Sequence, residues 1–88
     1  MVEKTYTIID ETGIHARPAT TLVSEAGKFS ADAQLEYNGQ KANMKSIMGV
    51  MAMGIGKGAR IKIITEGHDA DRALEAIDKV IKEQGLAE

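Results

Sequence analysis

The sequence predicts an α+β fold in which three helices cover one face of a four-stranded antiparallel sheet, in the order β-α-β-β-α-β-α. Two features point to it. Apolar residues switch along the chain between a two-residue and a three-to-four-residue period, and the strands are half polar, so they need cover on one face only. The 88 residues fit a single domain, 1–88, whose modest core removes roughly 60% of the unfolded chain's surface from water.

Each element has its own signal. Val2 to Ile9 alternates Val2, Lys4, Tyr6 and Ile8 against Glu3, Thr5, Thr7 and Ile9, with the β-branched content of a strand. Asp10 to Gly13 forms a turn. Ala16, Ala19, Leu22, Val23 and Ala26 then recur at helical spacing, and Gly27 serves as a stop. A strand follows from Asp32 to Tyr37. Asn38-Gly39 is the dipeptide preferred in a tight type I′ hairpin, so Gln40 to about Met44 pairs back on it. A short helix spans Ser46 to Met53, glycines 54, 56 and 58 form a loop, and Ala59 to Thr65 is a strand with Ile61 and Ile63 on one face. Asp69 is placed to cap a last helix carrying Ala70, Ala73, Leu74, Ile77, Val80 and Ile81 before Gly85.

Composition excludes several classes. With no cysteine there is neither a disulfide framework nor a thiolate metal site. The first residues lack a basic region followed by an apolar core, so no signal peptide is expected. The longest apolar stretch, Ile47 to Ile55, falls far short of the roughly 20 residues that span a membrane, and a cytoplasmic protein without membrane insertion is expected. A net charge of −2 and few, scattered aromatics argue against direct nucleic-acid binding, although Arg17, Lys28, Lys45 and Lys57 could meet an acidic partner locally.

The chemistry concentrates at Gly13-Ile14-His15-Ala16-Arg17-Pro18. Proline lacks an N–H and has φ fixed near the helical value, so it marks a helix's first turn and puts His15 at or beside the N-cap. The first helical N–H groups, including that of Ala16, have no intrahelical acceptor and lie at the positive end of the helix dipole. Arg17 can fork two N–H groups onto phosphate oxygens, and a neutral imidazole is a competent nucleophile near neutral pH. A histidine beside a helix start is by itself an ordinary polar residue. Arginine and proline at these offsets make it a candidate phosphoryl carrier. Thr12 could donate its hydroxyl to that group, or could equally be a turn residue.

Gly13 to Ala19, continuing through Leu22-Val23 to Lys28-Phe29, resembles the active-site region of HPr, the family of histidine-containing phosphocarriers of the bacterial phosphoenolpyruvate:sugar phosphotransferase system. The resemblance runs from Tyr6 to Gly85. It implies an open-faced β-sandwich and phosphorylation of His15 on Nδ1. It also implies a relay in which phosphorylated enzyme I donates to His15 and sugar-specific IIA components receive from it. Arg17 and the first-turn N–H groups would steady the oxygens. Such a protein is a covalent carrier rather than a stand-alone enzyme. It needs no cofactor and is expected to be a monomer.

Asn43 to Met51 is the second informative segment. A serine before an apolar helix is a normal N-cap, worth about 1 kcal/mol, yet an exposed cap hydroxyl is also an accessible kinase target. The segment resembles the regulatory-serine region of Gram-positive HPr. That implies phosphorylation of Ser46 by HPr kinase/phosphorylase, slower phosphorylation at His15, and binding to a catabolite control repressor. Ile47, Val50 and Met51 share a helical stripe from which Met48 is displaced, so this helix has more apolar side chains than one buried face needs. Flexible methionines suit a surface that docks several partners. In the family this helix and the first helix form the docking face, which makes Thr20, Ile47, Met48 and Met51 the candidate contacts. The alternative is a regulatory paralogue that acts mainly as a Ser46-phosphorylated repressor-binding module, but such relatives lack the histidine.

Other features carry no chemistry. Gly54-Ile55-Gly56-Lys57-Gly58 leads into a strand and lacks the Gly-Lys-Ser/Thr of a nucleotide loop. His68 lacks the Arg-Pro context, and neither histidine has the companions of a metal site, so no metal is expected. The chain departs from the usual Gram-positive pattern at Thr21, Ser24, Glu25 and Gly27. Glu25 adds negative charge near a surface expected to meet acidic partners.

Overall fold

A computed structural model of the chain describes residues 1–88. Its elements are β1 (Val2–Thr7), α1 (Ala16–Ala26), β2 (Asp32–Tyr37), β3 (Gln40–Asn43), α2 (Ile47–Ala52), β4 (Arg60–Glu66) and α3 (Ala70–Glu83), in the expected order. The strands lie β1-β4-β2-β3, and every neighbouring pair is antiparallel. Tyr6, Ala33, Leu35, Ile61 and Ile63 line the covered face and meet Ala19, Leu22, Ala26, Val50, Ile77 and Ile81 from the three helices. The other face is open and carries Glu3, Gln34, Glu36, Lys41 and Lys62. Asn38 (φ 55°) and Gly39 (φ 78°) adopt the two positive-φ positions of the type I′ turn. No helix is long and apolar enough to cross a membrane.

The first strand ends at Thr7 rather than Ile9; Ile8 still bonds Ala59 and Gly58 before β4 (2.9 and 2.8 Å), and a second neighbour joins on the outer edge. Thr7 exchanges two backbone hydrogen bonds with Glu88 (2.8 and 3.0 Å), Ile8 bridges Ala87, and the Ile9 N–H donates to the Leu86 carbonyl at 2.9 Å. The last three residues thus fold back beside the segment leading to His15. The strand after the hairpin stops at Asn43, and the expected strand from Ala59 to Thr65 lies one residue later, at Arg60–Glu66.

Two helix ends depart from their expected chemistry. Gly27 closes α1 in a right-handed conformation (φ −66°), so its glycine freedom is unused there. Asp69 occupies the N-cap of α3 but makes no side-chain cap bond. Its carboxylate instead accepts the N–H groups of Ser30 (2.9 Å) and Ala31 (2.7 Å), which hold it below the usual carboxylate range. The residue that begins α3 therefore ties down the connection leaving α1.

Behind the sheet edge, Tyr6 donates its hydroxyl to Asp78 at 2.6 Å, and Lys4 and Lys82 each reach the same carboxylate at 3.0 Å. Burial alone would raise the Asp78 carboxyl. The hydrogen bonds from Tyr6, Lys4 and Lys82 outweigh it and bring the pKa to about 2. This cluster staples β1 to α3.

Candidate functional site

The approach to His15 is set by a close crossing of two loops. Gly13 (φ +66°) packs so tightly on the segment after α2 that a Cβ there would lie 2.2 Å from the Ile55 carbonyl oxygen and 2.7 Å from the Gly56 Cα. Ile14 is buried, and its N–H donates to that Ile55 carbonyl at 3.0 Å. The next residue emerges into solvent: His15 is exposed, extended (φ −95°, ψ −166°) and occupies the N-cap of α1. Its imidazole makes no cap hydrogen bond. One of the two donors that such a bond could use is missing, since the third helical position is Pro18, which has no N–H. The N–H groups of Ala16 and Arg17 likewise have no acceptor.

His15, Arg17 and Pro18 line a shallow cleft of about 350 Å³ together with Asp10, Gln84 and Leu86. The Arg17 guanidinium is exposed and joins none of the molecule's ion pairs. Thr12 donates both its hydroxyl (2.7 Å) and its N–H (2.9 Å) to one oxygen of Asp10. These bonds, the hydroxyl's first, hold the Asp10 carboxyl below the usual range, with a smaller contribution from His15. In this arrangement the Thr12 hydroxyl is engaged away from the imidazole. The imidazole of His15, the N–H groups of Ala16 and Arg17 and the Arg17 guanidinium are thus all without a partner within the chain.

Ser46 caps α2 by accepting the Gly49 N–H at 3.1 Å and is half-buried. Of the stripe on α2 only Val50 is buried. Ile47 and Met51 are about 40% exposed and Met48 is 82% exposed. Thr20 is also exposed, with its hydroxyl bonded to the Ala16 carbonyl at 2.8 Å, and α1 packs against α2. Two of the four candidate cations are engaged: Lys28 pairs with Glu25 at 2.8 Å and Lys45 reaches the Phe29 carbonyl at 2.9 Å. The extra carboxylate on α1 is therefore offset by its neighbour.

Sequence patterns missed Asp10, Gln84 and Leu86 as walls of the cleft. Asp10 had a usable signal, since an aspartate two residues before Thr12 in a turn favours a bond to that N–H. Gln84 and Leu86 had none, because only tertiary packing brings them near His15.

A family model for the phosphorylation site of the PTS HPr component matches residues 2–83. The chain belongs to the HPr family. A solved histidine-containing phosphocarrier protein of Mycoplasma is 41% identical, covers 99% of both chains and superposes with a TM-score of 0.96. The phosphocarrier HPr of Bacillus anthracis is 46% identical, covering 90% of this chain and 94% of that one, with a TM-score of 0.82. Crh, a catabolite repression protein of Bacillus subtilis solved as a domain-swapped dimer, is 38% identical over 96% and 97% of the two chains, with a TM-score of 0.74. The chain is a phosphocarrier of the phosphotransferase system, from a family whose members interact with enzyme I and IIA components.

Proposed function

We propose that His15 carries the phosphoryl group, receiving it from phosphorylated enzyme I and passing it to sugar-specific IIA components. The observation that supports this most directly is the open N-cap: an exposed imidazole with no intramolecular bond, beside two unpaired N–H groups and an unpaired arginine. A ring nitrogen of neutral His15 attacks phosphorus in line. The new N–P bond forms as the donor's N–P bond breaks, and its electron pair returns to the donor imidazole. Ala16 and Arg17 N–H groups and the Arg17 guanidinium take the equatorial oxygens. The cleft is shallow, so the group stays accessible to the next acceptor. In this reading the protein works as a monomer in the cytoplasm.

Ile47, Met48, Met51 and Thr20 form the docking face in this proposal, and Ser46 is its regulatory switch. A phosphate there would place up to two negative charges at the edge of an apolar patch, slowing enzyme I while offering HPr kinase/phosphorylase and a catabolite control repressor a charged handle. The likeness to Crh favours a second reading, a module that acts mainly through phosphorylated Ser46. Labelled phosphoenolpyruvate with purified enzyme I separates the two. Acid-labile label lost in His15→Ala supports the relay. No label on the native chain with active enzyme I would favour the regulatory module.

A further inference from the structure

We propose that Asp10 tunes phosphoryl transfer: its carboxylate, fixed by Thr12 in the cleft that holds His15 and Arg17, opposes the incoming phosphoryl charge and keeps the phosphorylated form ready to donate. The inference rests on the reading of His15 as the acceptor.

Three observations bring Asp10 into the reaction. It lines the same cleft as His15 and Arg17. Its position is fixed, because Thr12 donates two bonds to its Oδ1, its N–H donates to the Leu86 carbonyl at 3.2 Å, and its carbonyl accepts the Gly13 N–H at 3.0 Å. Its charge is not neutralised, since no lysine or arginine pairs with it and both Thr12 donors converge on one oxygen, leaving the other free. The same Thr12 bonds favour the ionised carboxylate throughout the pH range in which an imidazole is a nucleophile.

A phosphoryl group arriving on His15 brings about −1.5 to −2 charges into a cleft that already holds one fixed negative charge and one positive charge. Arg17 draws the group in and Asp10 pushes it back. A relay benefits from that opposition, because a carrier that held the group with cations alone would be slow to release it. Thr12 thus acts on the phosphoryl group indirectly, as the clamp that keeps Asp10 in place. The uncharged Gln84 lines the same cleft and offers a second position at which the same electrostatics can be altered.

The test measures the fraction of protein phosphorylated at equilibrium with enzyme I at a fixed phosphoenolpyruvate-to-pyruvate ratio, for the native chain, Asp10→Asn and Gln84→Glu. Asparagine retains an oxygen for both Thr12 donors but removes the charge. At low salt, Asp10→Asn should raise the phosphorylation equilibrium constant about threefold to tenfold, and Gln84→Glu should lower it. Both differences should shrink towards zero at 1 M salt, where the screening length is about 3 Å. No change in Asp10→Asn at low salt overturns the proposal, as does a change of the same size at high salt. Gln84 is exposed at the end of α3, so its variant still tests the sign of the effect if Asp10→Asn folds poorly. Label that survives in His15→Ala would overturn the acceptor assignment itself, a result distinct from an unresponsive Asp10→Asn.

Discussion

α1 and α2 begin alike and are finished differently. Each starts from a residue in extended conformation at the N-cap, and the two helices pack against each other. At α2 the cap is complete, with the Ser46 hydroxyl on the N–H of Gly49 at the third helical position. At α1 the third position is Pro18, which has no N–H, and the cap residue is a histidine whose ring bonds to nothing in the chain. One helix start contributes to stability. The other leaves the N–H groups of Ala16 and Arg17 without an acceptor in the chain, and the two starts differ in sequence at the cap, His15, and at the third position, Pro18.

The largest expected effect breaks the pair apart chemically. His15→Ala should abolish enzyme I-dependent labelling and change unfolding stability by less than about 0.5 kcal/mol, since no native bond is lost. Ser46→Ala should keep full labelling. Loss of label in both, or in neither, would mean that the two starts do not divide the work as their caps indicate.

The next effect concerns what holds the open start in place. Gly13→Ala introduces a Cβ against the Ile55 carbonyl at a left-handed φ, and relief requires the loops to separate. A cost of about 2–4 kcal/mol is expected in denaturant unfolding, with transfer from enzyme I slowed because His15 leaves its position. An equivalent substitution at Gly49, on the closed start, meets the Ser46 side chain at 3.4 Å and the Ala42 Cβ at 3.8 Å and should be milder.

Acid tests whether stability resides away from both starts. The Asp78 carboxyl, ordinarily at 3.8, lies at about 2 in the folded chain. Between these values the unfolded chain binds more protons, so stability falls as pH drops through this window and is fully present above about 4. The loss is on the order of 2 kcal/mol, and Asp78→Asn should remove most of this pH dependence in urea titrations from pH 2 to 5. His15→Ala should leave the dependence intact.

Much of this arrangement was legible because it is written in local patterns. The alternation of Tyr6 with Thr5 and Thr7, the helical spacing of Ile77 and Ile81, the Asn38-Gly39 turn and the Gly-Ile-His-Ala-Arg-Pro motif each depend on neighbours in sequence. The departures depend on distant partners. Leu86 to Glu88 pair along the outer edge of Thr7 to Asp10, and Asp69 leaves its own helix for Ser30 and Ala31. The cleft was half visible for the same reason. His15 and Arg17 lie in the motif, whereas Gln84 and Leu86 reach the site only after the chain's two ends have paired.

The smallest effect separates the two roles of Ser46. Removing the hydroxyl in Ser46→Ala leaves the Gly49 N–H without its acceptor and should cost about 1 kcal/mol, read as a lower denaturant midpoint at unchanged slope. Ser46→Asp restores an acceptor of comparable capping strength, so its stability should return to within about 0.5 kcal/mol of the native chain. The same variant places a negative charge beside Ile47 and Met48, and its transfer from enzyme I should be slower than that of Ser46→Ala. Stability would then follow the cap and transfer the charge. If Ser46→Asp transfers as fast as Ser46→Ala, the serine is a structural cap alone, and α2 differs from α1 in stability without contributing a switch.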